Sequence, residues 1–160
     1  MSKLVAVAAL IGVGLFAGGA CAKSAASSPE QAIRPLMAKM FEAANAHDTD
    51  AFMAPMVRDS SLVFTMNAEV IHGWDALHAQ QLKWWHNGKS DARYTQDGSP
   101  EFMALCPDVE VVTWPLAAHR TLPDGKVADY TFVVSYVWRK LPQGWRIVYG
   151  HESWSKPPGS

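Results

Sequence analysis

Tyr130-Thr-Phe-Val-Val-Ser-Tyr-Val-Trp138, Arg139-Lys-Leu-Pro-Gln-Gly144 and Trp145-Arg-Ile-Val-Tyr-Gly-His-Glu-Ser-Trp154 follow one another in the last third of the chain. The outer two runs are rich in β-branched and aromatic residues. Pro142 and Gly144 supply turn chemistry between them, so the three read as an antiparallel hairpin. Side chains alternate faces along a strand. Tyr130, Phe132, Tyr136 and Trp138 therefore share one phase of the first run, and Trp145, Ile147, Tyr149 and His151 share one phase of the second. A face so dense in rings, ending in a histidine, reads as the wall of an apolar pocket. By the same alternation Glu152 points away from His151, and Val133, Val137, Val148 and Trp154 form the opposite face. A sheet face left to water is mainly polar, so this apolar one reads as a partner surface, and a homodimer packed back to back is the expected assembly.

Upstream, the pattern changes from a period of two to the helical period. Ser28, Pro29 and Gln31 form an N-cap, a first-turn proline and a capping-box partner. Ile33, Leu36, Met37, Met40, Phe41 and Ala44 then follow the i, i+3, i+4, i+7 rule. Asp48 or Asp50 caps a short second helix carrying Phe52 and Met56, limited by Pro55. Residues 61–66 read as a short strand and 69–72 as its return. Gly73 opens a third helix with Trp74, Leu77, Leu82 and Trp85 on its buried stripe, stopped by Asn87-Gly88. Residues 92–105, 109–121, 127–140 and 145–155 read as strands. Helices followed by a run of strands is an α+β pattern. The expected fold is a cone-shaped barrel, with three N-terminal helices packed on a curved, mostly antiparallel sheet.

Residues 1–22 read as a signal peptide: Lys3 is the positive n-region, residues 4–17 are nearly all apolar, and Gly18-Gly-Ala-Cys-Ala22 suits cleavage. The run is glycine-broken and shorter than the about 20 apolar residues of a membrane-spanning helix. Small residues at Ala20 and Ala22 favour soluble release, which makes the protein periplasmic or secreted. A lipidated Cys21 would make it a lipoprotein, the one route to a membrane. Residues 23–28 read as a tether and 156–160 as a disordered tail. About 138 residues remain after cleavage, enough for one domain with one core. A net charge of −1 with no basic block lacks the electrostatic term that nucleic-acid binding needs. With Cys21 removed, Cys106 is the only cysteine, so no intrachain disulfide is expected.

Several stretches recur in a recognisable order: Ala43-Ala-Asn-Ala-His-Asp-Thr-Asp50, Val57-Arg-Asp59, His72-Gly-Trp-Asp-Ala-Leu77, Asp124-Gly-Lys126 and Trp145-Arg-Ile-Val-Tyr-Gly-His-Glu-Ser153. In that order and spacing the chain resembles the SnoaL-like, nuclear-transport-factor-two-like superfamily, which includes the ketosteroid isomerases. The resemblance implies a domain over residues 29–155 with a pocket between the first helix and a concave sheet. The superfamily hosts isomerases, dehydratases, epoxide hydrolases, polyketide cyclases and noncatalytic binders, so it fixes shape more firmly than function. Ketosteroid isomerases use a carboxylate base and an oxyanion hole of a tyrosine and a protonated aspartic acid. Aligned on Asn45-Ala-His-Asp48, that tyrosine falls on Met40, the base near Phe64 and the aspartic acid near Tyr136. Met40 and Phe64 can neither take a proton nor stabilise an enolate, so two of the three roles are vacant and that mechanism is not expected here, although Tyr136 can still donate a hydrogen bond.

Among polar candidates, His151 lies on the expected pocket face and matches a histidine common near the end of SnoaL-like chains. An imidazole titrating at about 6.5 serves as acid or base, whereas a structural histidine would only bond within the sheet. His72 precedes Gly73 near the expected rim, His119 lies near the end of its strand, and His47, His78 and His86 fall at surface or boundary positions. The six histidines lack metal-ligand spacing and no Cys-x-x-Cys exists, so no metal is expected. Cys106 reads as a buried or boundary thiol. No phosphate loop appears and no cofactor is expected. The expectation is thus an exported domain binding a small apolar or aromatic molecule. Met40, Phe64, Trp85, Phe132, Trp138 and Tyr149 would contact it, and His151, Tyr136 and His72 are the catalytic candidates. One alternative is a lyase, isomerase or hydrolase using His151 as acid or base; another is a noncatalytic structural dimer.

Overall fold

The computed structural model describes residues 28–122 and 124–155. The expected signal peptide, with Cys21, residues 23–27 of the tether and the 156–160 tail lie outside them. Among the described residues no helix is long and apolar enough to cross a membrane.

Helix α1 (Pro29–Ala46) begins with the full capping box: Ser28 accepts the Gln31 amide, and the Gln31 side chain accepts the Ser28 amide. It buries Ile33, Met37, Met40, Ala43 and Ala44. His47 ends it in the left-handed region (φ 54°). The His47 ring, expected at a surface or boundary position, is buried, and its Nε2–H donates to the Ala92 carbonyl at 2.9 Å. Helix α2 (Thr49–Met53) is capped by Asp48, whose side chain accepts the Ala51 amide at 3.0 Å. Strands β1 (Val63–Met66) and β2 (Glu69–His72) form a hairpin around Asn67 and Ala68, both at positive φ as a twist-matched two-residue turn requires. Helix α3 (Trp74–Trp84) buries Leu77 and Gln81.

The single strand expected over residues 92–105 is two: β3 (Arg93–Gln96) and β4 (Glu101–Cys106). Both pair with β5 (Val109–Thr121), on either side of a gap at Asp97-Gly-Ser-Pro100. Pro115 of β5 faces that gap. Its carbonyl accepts the Asp97 amide at 3.2 Å, and it has no N–H to offer a continuous partner. The ladder therefore lapses there, and the facing strand turns. Cys106, expected buried or at a boundary, is exposed.

Strands β6 (Val127–Leu141) and β7 (Gly144–Trp154) complete a curved, open sheet of order β2-β1-β7-β6-β5-β3, with β4 also on β5. Among these strand pairings only β1–β7 is parallel. The concave face and the helices share one core, in which Trp138, Ile33, Met53, Leu62 and Ile147 are almost wholly buried.

One irregularity decides what the concave face presents. Along β6 and β7 the pairs run Val137↔Tyr149 and then Trp138↔Ile147, so Val148 is an extra residue on β7, a β-bulge. Trp145 and Ile147 face the core before it. After it, buried Gly150 takes the inward phase, followed by Glu152 and Trp154, while Tyr149 and His151 face outward. The expectation that Tyr149 and His151 share the phase of Trp145 and Ile147 is thereby corrected, as is the outward placement of Glu152 and Trp154. On the convex face, Met103, Val111, Val137, Tyr149 and Val63 form one row across five strands.

Candidate functional site

A cavity of about 290 Å³ lies between the helices and the concave sheet. Helix α1 contributes Met37, Met40, Phe41 and Ala44, placed there by its apolar stripe. Phe52 comes from α2. The end of α3 and the residues after it bring Gln81, Lys83, Trp84, Trp85 and His86. The sheet supplies Tyr94 from β3, Trp114, Leu116, Ala118 and Arg120 from β5, Phe132, Val134 and Tyr136 from β6, and Glu152 and Trp154 from β7. The β5 and β6 residues lie two apart, as alternation requires.

The rings pack on one another. Phe132 and Trp154 are directly paired across β6 and β7 and stack with centroids 4.1 Å apart. Tyr94 meets Phe132 edge-on at 6.2 Å, and Phe41 tilts against Trp114 at 5.4 Å. Trp85 Nε1–H donates to the Tyr94 hydroxyl at 2.9 Å. Tyr94 is fixed from the other side by Asn45, whose Oδ1 accepts the Tyr94 amide at 2.9 Å and whose Nδ2 donates to the Tyr94 carbonyl at 3.1 Å. The Asn45 side chain thus acts as the strand neighbour that β3 lacks on its outer edge, tying the sheet to the end of α1.

Against this apolar lining stand a few polar groups. Glu152 is the one carboxylic acid of the wall, and its Oε2 accepts Trp154 Nε1–H at 3.1 Å. Burial pushes its pKa up to about 7, against the smaller opposing effect of that indole. Burial holds the Tyr136 phenol well above its ordinary value, and the nearby Glu152 charge raises it further. Burial pushes Tyr94 up to about 12. Both phenols are therefore hydrogen-bond donors at neutral pH. A carboxyl that titrates at about 7 can hold or release a proton under ordinary conditions. Among the described residues no group of three or more His, Cys, Asp or Glu could hold a metal ion.

Of the residues singled out from sequence, Met40, Trp85, Phe132 and Tyr136 come together around this cavity. Phe64 does not line it: its ring lies over the backbone of Gly150, in the core. Trp138 is fully buried in the core and does not line it, with its indole N–H unpartnered among the described residues. Tyr149 sits on the convex face, where its hydroxyl is 3.1 Å from Thr65 Oγ1. His151 is exposed on that face, opposite Thr65 and Ser135. His72 is exposed at the end of β2, away from the cavity. Glu152 escaped the sequence reading because the bulge reverses its phase; Gly150 inside a strand was the available signal. Tyr94 and Arg120 carried no local signal.

The SnoaL-like domain family matches residues 33–157. No curated protein matches the chain. Among solved structures, a nuclear transport factor 2-like superfamily protein of Salmonella enterica is 21% identical with a TM-score of 0.67, covering 78% of this chain and 89% of that one. A nuclear transport factor 2-like protein of Shewanella oneidensis is 24% identical with a TM-score of 0.64, covering 78% of this chain and 98% of that one. The association domain of the Caenorhabditis elegans kinase CaMKII is 18% identical with a TM-score of 0.61, covering 78% of this chain and 94% of that one. At such identities the likeness is one of fold. Helices closing the concave side of an open sheet, a cavity between them, and a family match over most of the chain lead to one conclusion: this chain belongs to the SnoaL-like domain family.

Proposed function

We propose that the domain binds a small apolar or aromatic molecule in the cavity between α1 and the concave sheet. The observation that carries this reading is the concentration of rings around one space that is also lined by Tyr136, Tyr94 and Glu152. Mostly apolar walls with a few polar groups to fix orientation are the usual make-up of a small-molecule site. N-phenyl-1-naphthylamine, whose emission rises in apolar surroundings, should bind saturably. Ala118→Phe, which places a ring inside the cavity, should abolish that binding while far-ultraviolet circular dichroism stays unchanged. Emission that never saturates, or that Ala118→Phe leaves intact, removes the reading.

A second reading is favoured by Glu152 specifically. A carboxyl poised at about 7 beside two phenolic donors is suited to moving a proton on a bound ligand, the role expected of His151 from sequence. In that case turnover depends on one ionisation at about 7, and Glu152→Gln removes it without loss of ligand affinity. We further propose that the protein is a homodimer joined through its convex face. The apolar row on that face supports this assembly, as does the association-domain character of one structural relative.

A further inference from the structure

Arg120 stands out among the groups facing the cavity. It ends the inward row of β5, yet no ion pair or hydrogen bond joins its guanidinium to another described residue. Its Nε is closed off from solvent and has no acceptor among the described residues. The guanidinium lies over the Tyr130 ring at 5.7 Å, which holds the fork without satisfying its N–H groups. Asp91, whose carboxylate accepts the Thr121 amide at 2.9 Å, feels the Arg120 charge as the least of its influences and forms no ion pair with it.

Glu152, the one carboxylic acid of the wall, does not serve as its counter-ion. Arg120 pairs with Ala128 and Glu152 with Val134, so the two stand six residues apart along β6, roughly 20 Å of strand. Tyr94 pairs with Ala118, which pairs with Tyr130, so along the sheet it lies between the two. Lys83 adds a second cation to the wall. The cavity therefore has an apolar middle, a proton-holding carboxyl at one end and, at the other, a planar cation with no ion-pair partner among the described residues.

We propose that the ligand is an organic anion with a flat apolar body, whose carboxylate is held by the guanidinium fork of Arg120. This assignment rests on the reading of the cavity as a ligand site and names the chemical class that site takes. A carboxylate accepts two parallel N–H bonds from a guanidinium, which is the geometry an unpartnered arginine offers. The apolar body occupies the space between Trp114, Phe132 and Tyr94.

The test is calorimetric titration of the full chain at pH 6 with three matched probes: 2-naphthoate, 2-naphthamide and 2-naphthylmethylammonium. The acid should bind about tenfold or more tightly than the amide, as a charge-assisted bidentate contact predicts. Arg120→Gln should erase that advantage and leave amide affinity within about twofold, whereas Arg120→Lys should keep part of it, since a point charge replaces the fork. Equal affinity for acid and amide in the wild type overturns the proposal. So does preference for the ammonium, or equal loss of acid and amide in Arg120→Gln. If the amide binds but the acid gains nothing, only the anion assignment falls. If none of the three binds saturably, the ligand-site reading falls with it.

Discussion

Burial holds the Glu152 proton to about pH 7, whereas a carboxyl in the unfolded chain releases it at about 4.5. Below the lower value both states are protonated and Glu152 leaves stability unchanged. Between the two values only the unfolded chain loses the proton, so stability falls as pH rises, and above about 7 the full penalty applies. Because the side chain borders the cavity and keeps some contact with water, the penalty is about 1–3 kcal/mol. Glutamine keeps the shape and still accepts the Trp154 indole N–H, but does not titrate. Urea denaturation should therefore show the wild type losing about 1–3 kcal/mol more than Glu152→Gln between pH 5 and pH 8. Parallel pH profiles would mean that Glu152 is solvated rather than buried. The same substitution separates binding from proton transfer, since it keeps the volume of the site and removes only the exchangeable proton.

At the scale of elements, β7 depends on Gly150. A Cβ at that position would lie 2.6 Å from the Phe64 ring and 3.2 Å from the Tyr136 ring, closer than packed carbon atoms allow. Gly150→Ala should therefore cost about 1–3 kcal/mol in chemical denaturation, with part of the loss recovered when Phe64→Leu is made in the same chain. Additive effects of the two changes would argue against the clash. The same strand marks what sequence could and could not disclose. The start of α1 was legible to the residue, because a capping box is a local hydrogen-bond pattern. The β1–β2 hairpin was legible for the same reason. The gap between β3 and β4 was missed, although Asp97-Gly-Ser-Pro100 carries turn residues, because its cause lies in Pro115, on another strand. The bulge at Val148 adds one residue of ordinary strand composition, so alternation alone carried Tyr149 and His151 to the wrong face. Tyr94 and Arg120 reach the cavity only because β3, β5 and α1 meet there, a consequence of long-range pairing that no local pattern encodes.

For the molecule as a whole, the convex face poses the question of assembly. Met103, Val111, Val137, Tyr149 and Val63 follow one another across five strands in a band that water would otherwise cover, and Met103 is 56% exposed. Bands of this kind are usually closed by a second subunit. Sedimentation should find a dimer at micromolar concentration, and Val137→Glu, at the centre of the row, should convert it to a folded monomer. A wild-type monomer at that concentration would rule the assembly out. With the cavity on the concave face and the apolar row on the convex one, every residue of β7 answers to one side or the other, and Val148 is where the count between them changes. The ladder has already absorbed an extra residue at that point. Loss of Val148 should therefore restore an unbroken strand and still leave Gly150, Glu152 and Trp154 facing inward. In terms of descent, this is a position where the chain can gain or lose a residue without altering what the cavity contains. Two chains lined up residue for residue through it, with no gap, would assign the cavity-facing chemistry of one to the convex face of the other.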